Sequence, residues 1–196
     1  MLLTLGSYCF AHDIPNDVKV QAFLKPAGTK LQLLVRVPLA AMNEVDFPKR
    51  GPGYLDLAHA DAALHQAATL WIADNLEIYE GEVRLANPRI ADVRVSLPSD
   101  KSFGAYDSAL AHVTGPHLPD DMELYWNQQF LDVLFAYTIV SDRSAFSIHP
   151  RFSRLGLRVV TTRILVVVRR SRSVIRPDEW MRIAASTSPQ VNSAVA

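Results

Sequence analysis

The sequence of 196 residues predicts a mainly β, antiparallel β-sandwich-like domain with one longer helix near residues 58–74 and short helical segments. Three observations carry that prediction. About eight short stretches alternate apolar and polar residues or are rich in β-branched and aromatic side chains. Clusters of Gly, Pro, Asp and Asn separate them at short intervals. Only one stretch repeats its apolar residues at helical spacing over several turns.

Taken in order, Val18, Val20, Ala22 and Leu24 alternate with Lys19, Gln21 and Phe23 as a strand. Pro26-Ala27-Gly28 turns the chain, and LQLLVRVP, from Leu31 to Pro38, returns as the second arm of a hairpin with an apolar face. Pro48 to Gly53 is a loop. Leu57, Leu64 and Trp71 then recur at seven residues with Ala68 and Ile72 beside them, one apolar stripe that Asn75 ends. Leu76–Tyr79 and Val83–Leu85 flank Glu80-Gly81-Glu82, a hairpin signal, and IADVRVSL from Ile90 alternates again. Tyr106–Val113 predicts a short helix and Thr114–Asp121 a loop. Leu131–Val140, Ala145–Ile148 and Leu155–Val168 predict the remaining strands, with Asp142-Arg143-Ser144 as a turn.

Length and an apolar share of 49% allow one sizeable core. The zero net charge conceals an asymmetry. Residues 1–150 hold 11 Lys and Arg against 18 Asp and Glu, a balance of −7; residues 151–196 hold 9 Arg against Asp178 and Glu179, a balance of +7. From about Arg163 the alternation gives way to arginine and then to a Ser/Thr/Ala-rich end of disordered composition. The N-terminus predicts a signal peptide at 1–11: Leu2, Leu3, Leu5 and Phe10 are its apolar region and Cys9-Phe10-Ala11 its small-x-small cleavage site. No Lys or Arg precedes that region, and a short N-terminal strand is the alternative. Cleavage would remove Cys9, the lone cysteine, which suits an oxidising compartment. The most apolar run, Val159–Val168, is far short of the roughly 20 residues that span a bilayer.

Chemistry-bearing residues are sparse. His59 and His65, six apart, cannot share a metal as an i, i+4 pair does, although Asp61 and His65 share a face. His112 and His117 flank the loop that holds Asp120 and Asp121, an acidic loop with the donors of a hard or borderline metal site. His149, before Pro150, is an ordinary loop residue. Cleavage after Ala11 would leave His12 with a free amine beside its imidazole, a donor pair suited to copper or nickel. The nucleophile elbow, P-loop, zinc-protease and dinucleotide signatures are missing, so no catalytic, cofactor-binding or metal residue is assigned and an enzyme is not expected. Arg169-Arg170-Ser171-Arg172 could neutralise phosphates, but the acidic main body argues against a nucleic-acid partner.

Several stretches together resemble one family. HDIPNDVKVQAFLKP from His12, LLVRVPLAAMNEVDFP from Leu33, GPGYLDL from Gly51 and ATLWIADNLEIYEG from Ala68 are similar to the N-terminal portion of HupE/UreJ-like bacterial membrane proteins. So are VSLPSDKSFGAYDSALAHVTGP from Val95, LYWNQQFLDVLFAY from Leu124 and SDRSAFSIHPRFSRLGLRVVT from Ser141. The resemblance implies a β-rich extracytoplasmic domain over 12–162, exported to the periplasmic or outer face of the membrane. Its partner would be a membrane domain of the full-length protein. The family's nickel-associated segments lie in that membrane portion, so the resemblance carries no metal residue onto this chain. Expected function follows: a non-catalytic binding or scaffold module for which the residues identify no small-molecule substrate, with capture of nickel or copper for a transporter domain as the alternative. Residues 163–196, an atypical basic tail, fit a truncated record read in a shifted frame. Unpaired beside Ile164–Val168, the last native strand's edge would then invite aggregation.

Overall fold

Alternation along four strands generates the central sheet. The structure, a computed structural model, describes residues 18–42, 44–151 and, for the backbone, 161–166. In chain order its strands are β1 (Lys19–Ala27), β2 (Lys30–Pro38), β3 (Lys49–Arg50), β4 (Tyr54–Leu55), β5 (Leu76–Glu80), β6 (Val83–Arg84), β7 (Arg89–Ser96), β8 (Phe130–Thr138), β9 (Phe146–Pro150) and β10 (Thr161–Val166). Five of them form one sheet in the order β10-β1-β2-β8-β7, and β6-β5-β9 form a second. Pairing is antiparallel throughout except where β10 lies parallel to β1. Strands β3 and β4 make a two-residue ladder on their own, a small addition to the loop predicted over 48–53.

Between the sheets lies the main core. Val20, Ala22 and Leu24 of β1, Leu31, Leu33, Val35 and Val37 of β2, and Leu131, Val133 and Phe135 of β8 all point into it. Opposite them sit Leu76, Ile78 and Ile148 of the second sheet. Each of these Val, Leu, Ile and Phe side chains, fully buried, contributes roughly 1.5–3 kcal/mol. The antiparallel sandwich-like class expected from the alternation is therefore the architecture observed.

The longer helix also packs here. It begins as α1 (Asp61–Ala67), widens into a π-turn over Ala68–Ile72 and tightens into a 3-10 turn over Ala73–Asn75. Its buried stripe is Leu64, Ala67, Ala68, Trp71 and Ile72. Asn75 closes it, donating through Nδ2 to the carbonyls of Leu70 (2.8 Å) and Trp71 (3.4 Å), which the helix end leaves free. One boundary is corrected: residues Leu57–His59 form a separate 3-10 turn, so the helix starts at Asp61 rather than near 58. At Ala60, the buried residue between the two, no side chain caps the α-helical turn.

A second helix, α2 (Tyr106–Val113), covers the other face of the central sheet. Its Tyr106, Ala109 and Val113 pack with Phe103 on Phe23, Leu34 and Leu134, the residues whose parity along their strands is opposite to that of the main core. Turn positions differ slightly from expectation. Strand β1 runs on to Ala27, and the chain reverses at Gly28-Thr29, where Gly28 has φ +61°. Three features fall outside the described residues: the leader over 1–11 with Cys9, the candidate ligand His12, and the basic stretch beyond Val166. Strand β10 crosses the boundary drawn at 162/163, with Arg163 opposite Gln21.

Candidate functional site

The face under α2 is apolar at one end and charged at the other. Strand register builds the charged end: Gln21, Arg36, Asp132 and Arg94 lie side by side in one row across β1, β2, β8 and β7. Arg36, Asp132 and Arg94 each stand between apolar neighbours: Val35 and Val37, Leu131 and Val133, Val93 and Val95. Period-two geometry puts them all on the face away from the main core, and α2 with the segment before it then covers them.

Arg36 is the hub. Its Nε and Nη2 donate to the two oxygens of Asp132 at 2.7 and 2.6 Å, a bidentate pair, and Nη2 also reaches Asp100 Oδ1 at 2.8 Å. Nη1 donates to the Asp100 carbonyl at 3.1 Å, and Nη2 approaches Ser102 Oγ at 3.3 Å. Phe103 lies 4.3 Å from the guanidinium carbon and Phe130 5.5 Å, adding cation–π attraction to both ring faces. Burial works against the charge on Arg36, but hydrogen bonds and charge from Asp132 and Asp100 outweigh it and raise its pKa. Asp100 responds in kind. Burial pushes its carboxyl up, while the Ser102 hydroxyl, Arg36 and the Ser102 amide together pull it down to about 2.

Ser96 and His112 complete the cluster. Ser96 Oγ is 2.7 Å from His112 Nε2, and His112 Nδ1 is 3.4 Å from Asp100 Oδ2. The order serine, imidazole, carboxylate is that of an acyl-transfer triad. Its details are not. The Ser96 hydroxyl donates to Asp132 Oδ2, the residue is 1% exposed, and His112 Nε2 lies 3.3 Å from the same Asp132 oxygen. With its proton directed to Asp132, the serine oxygen is left to accept from the ring, so the ring is not placed to take that proton.

Arg94 is held differently. It donates to the carbonyls of His112 and Pro116, and its Nε has no partner in the buried interior. Desolvation lowers its pKa, and the charges of Asp92, Asp132 and Asp100 only partly offset that. It lines a small pocket of about 60 Å³ with His117, Asp61, Asp120, Leu64 and Leu118.

The two loop histidines therefore part company. His112 turns inward to Asp100 and Asp132, whereas His117 Nε2 lies 3.8 Å from Asp92. His59 meets Asp56 at 2.8 Å; His65 reaches the Asp61 carbonyl at 2.9 Å and its carboxylate at 3.4 Å, the shared face expected from spacing. His149 stacks near Tyr79, its ring 5.1 Å away; it sits in β9 rather than in a loop. Asp142 accepts from the Gly28 amide at 3.0 Å within the turn predicted at 142–144. Among the described residues no three His, Cys, Asp or Glu are arranged to hold a metal ion, and no helix is long and apolar enough to cross a membrane.

Sequence reasoning missed Arg36, Asp132, Arg94, Ser96 and Asp100. One signal was present: a charge set directly between apolar neighbours, Arg36 in LQLLVRVP, Arg94 in IADVRVSL and Asp132 in LDVLFAYTIV. No protein-family model matches the chain, and no curated protein matches its sequence.

Proposed function

We propose that this chain is a non-catalytic extracytoplasmic binding or scaffold module, the N-terminal domain of a HupE/UreJ-like membrane protein, working beside a membrane domain. The resemblance over residues 12–162 supplies the family and the location. The observation that favours a non-catalytic role is the state of Ser96. Its hydroxyl stands nearest to catalytic geometry, yet it is sealed from solvent and hydrogen-bonded to Asp132. Arg36 likewise directs its donors to Asp132, Asp100 and Ser102. Ser96 and Arg36, matched in this way to their neighbours, join sheet, loop and helix, which supports a structural role for them.

Two measurements test this reading. A fluorophosphonate probe should leave Ser96 unmodified in the folded protein, and labelling there would restore the hydrolase alternative. Cell fractionation with mass spectrometry of the N-terminus should find an exported chain beginning at His12. A cytoplasmic chain beginning at Met1 would overturn the location.

A further inference from the structure

We infer that the pocket walled by α1, β7 and the loop after α2 binds a small zwitterion of the α-amino acid class, its carboxylate toward Arg94 and its ammonium toward Asp61 and Asp120. The inference deepens the binding-module reading, on which it rests, by naming a ligand class; it draws nothing from the family or the location. Strand order makes the pocket. Among the described residues β7 is the last strand of the central sheet, so its outer edge has no strand beside it. There the helix contributes Asp61 and Leu64, the strand Val93, Arg94 and Val95, and the loop Leu118 and Asp120. Arg94 holds that loop in place by donating to the carbonyls of His112 and Pro116.

Arg94 is what asks for a ligand. It is 3% exposed, yet its Nε–H has no acceptor among the described residues, a costly state for a buried charged donor. Its charge is met only in part as well. Both oxygens of Asp132 are taken by Arg36 at 2.7 and 2.6 Å, and the carboxylates near Arg94 do not make up for its burial. One added carboxylate would supply the missing acceptor and the missing charge together.

A simple anion does not suit the rest of the wall, because Asp61 and Asp120 would repel it. Both are exposed where Arg94 is buried, and the Asp120 side chain has no partner among the described residues. A cation at the rim is attracted to the same two groups. Carboxylate within and ammonium at the mouth is the charge order of an α-amino acid. Size narrows the class. A volume of about 60 Å³, at about 10–15 Å³ for each water-sized site, holds about four to six non-hydrogen atoms, the size of glycine or alanine. Leu57, Leu64 and Leu118 make the remaining wall apolar, which fits a short aliphatic side chain.

Amide NMR spectra of the nitrogen-15-labelled full chain, titrated with glycine, alanine, acetate, ethylammonium and glycerol, test the inference. Glycine and alanine should shift the amides of Arg94, Val95 and Leu118 saturably, with a Kd of about millimolar for so few atoms. Acetate and ethylammonium should each bind roughly tenfold more weakly, since each lacks one charged contact. Asp120→Asn should weaken glycine binding roughly tenfold while leaving the melting curve unchanged, because the side chain is exposed. That variant is preferred to Arg94→Gln, which would also release the end of α2. No saturable shift with glycine, acetate binding as tightly as glycine, or wild-type affinity in Asp120→Asn overturns the inference. Failure with glycine removes the ligand and leaves an exported scaffold; labelling of Ser96 or a cytoplasmic chain removes the reading beneath it, whatever the titration shows.

Discussion

A guanidinium at Arg36 sits where water scarcely reaches, so its charge has to be met by protein groups. Two carboxylates do this, and one of them gives a measurable consequence. The Asp100 carboxyl titrates at about 2 in the fold against an ordinary 3.8. A depressed carboxylate pKa stabilises the folded state fully above the unfolded value and loses that contribution as pH falls through the folded one. Stability should therefore decline between about pH 4 and pH 2. Denaturant unfolding across that window should show a shallower decline for Asp100→Asn, which also starts less stable at neutral pH. A slope identical to wild type would mean that Asp100 takes no part in the acid transition.

At the scale of elements, α2 is the piece that turns a half-polar sheet face into an interior. Its bounds, Tyr106–Val113, are those its composition predicts, because Tyr106, Ala109 and Val113 recur at three and four residues. Ala109 is fully buried between the helix and the sheet beneath, where Phe23, Leu34 and Leu134 pack. A larger side chain there must lift the helix or displace its neighbours. Ala109→Leu should thus cost about 1–3 kcal/mol in chemical denaturation; an unchanged midpoint would show slack at this contact. The longer helix was also legible, from Leu64, Trp71 and Ile72, although its π-turn left no trace in residue spacing. The β1–β2 hairpin was legible to within a residue or two, since Val20, Ala22 and Leu24 alternate as cleanly as Leu31, Leu33 and Val35.

Across the whole molecule the legibility ends where contacts become long-range. Alternation says which side of a strand a residue occupies, but Arg36 and Asp132 are 96 positions apart and meet only because β8 inserts beside β2. No local spacing encodes that order. Ser96, four residues before Asp100, gave no signal either, because its meaning depends on Asp132 and His112 arriving from separate elements. The same long-range order sets what the cluster does: β2, β7, β8, the Asp100–Ser102 loop and α2 are fastened through a single buried ion-pair network. Such a network makes little net contribution compared with apolar packing, yet removing one member leaves a buried charge unmatched. The most direct test is equilibrium urea unfolding of Asp132→Ala beside the wild-type chain. A structural cross-link predicts a loss of about 3–5 kcal/mol, seen alike by probes of sheet and helix. Wild-type stability in that variant would contradict it, and the cluster would then have to be explained by chemistry instead of folding.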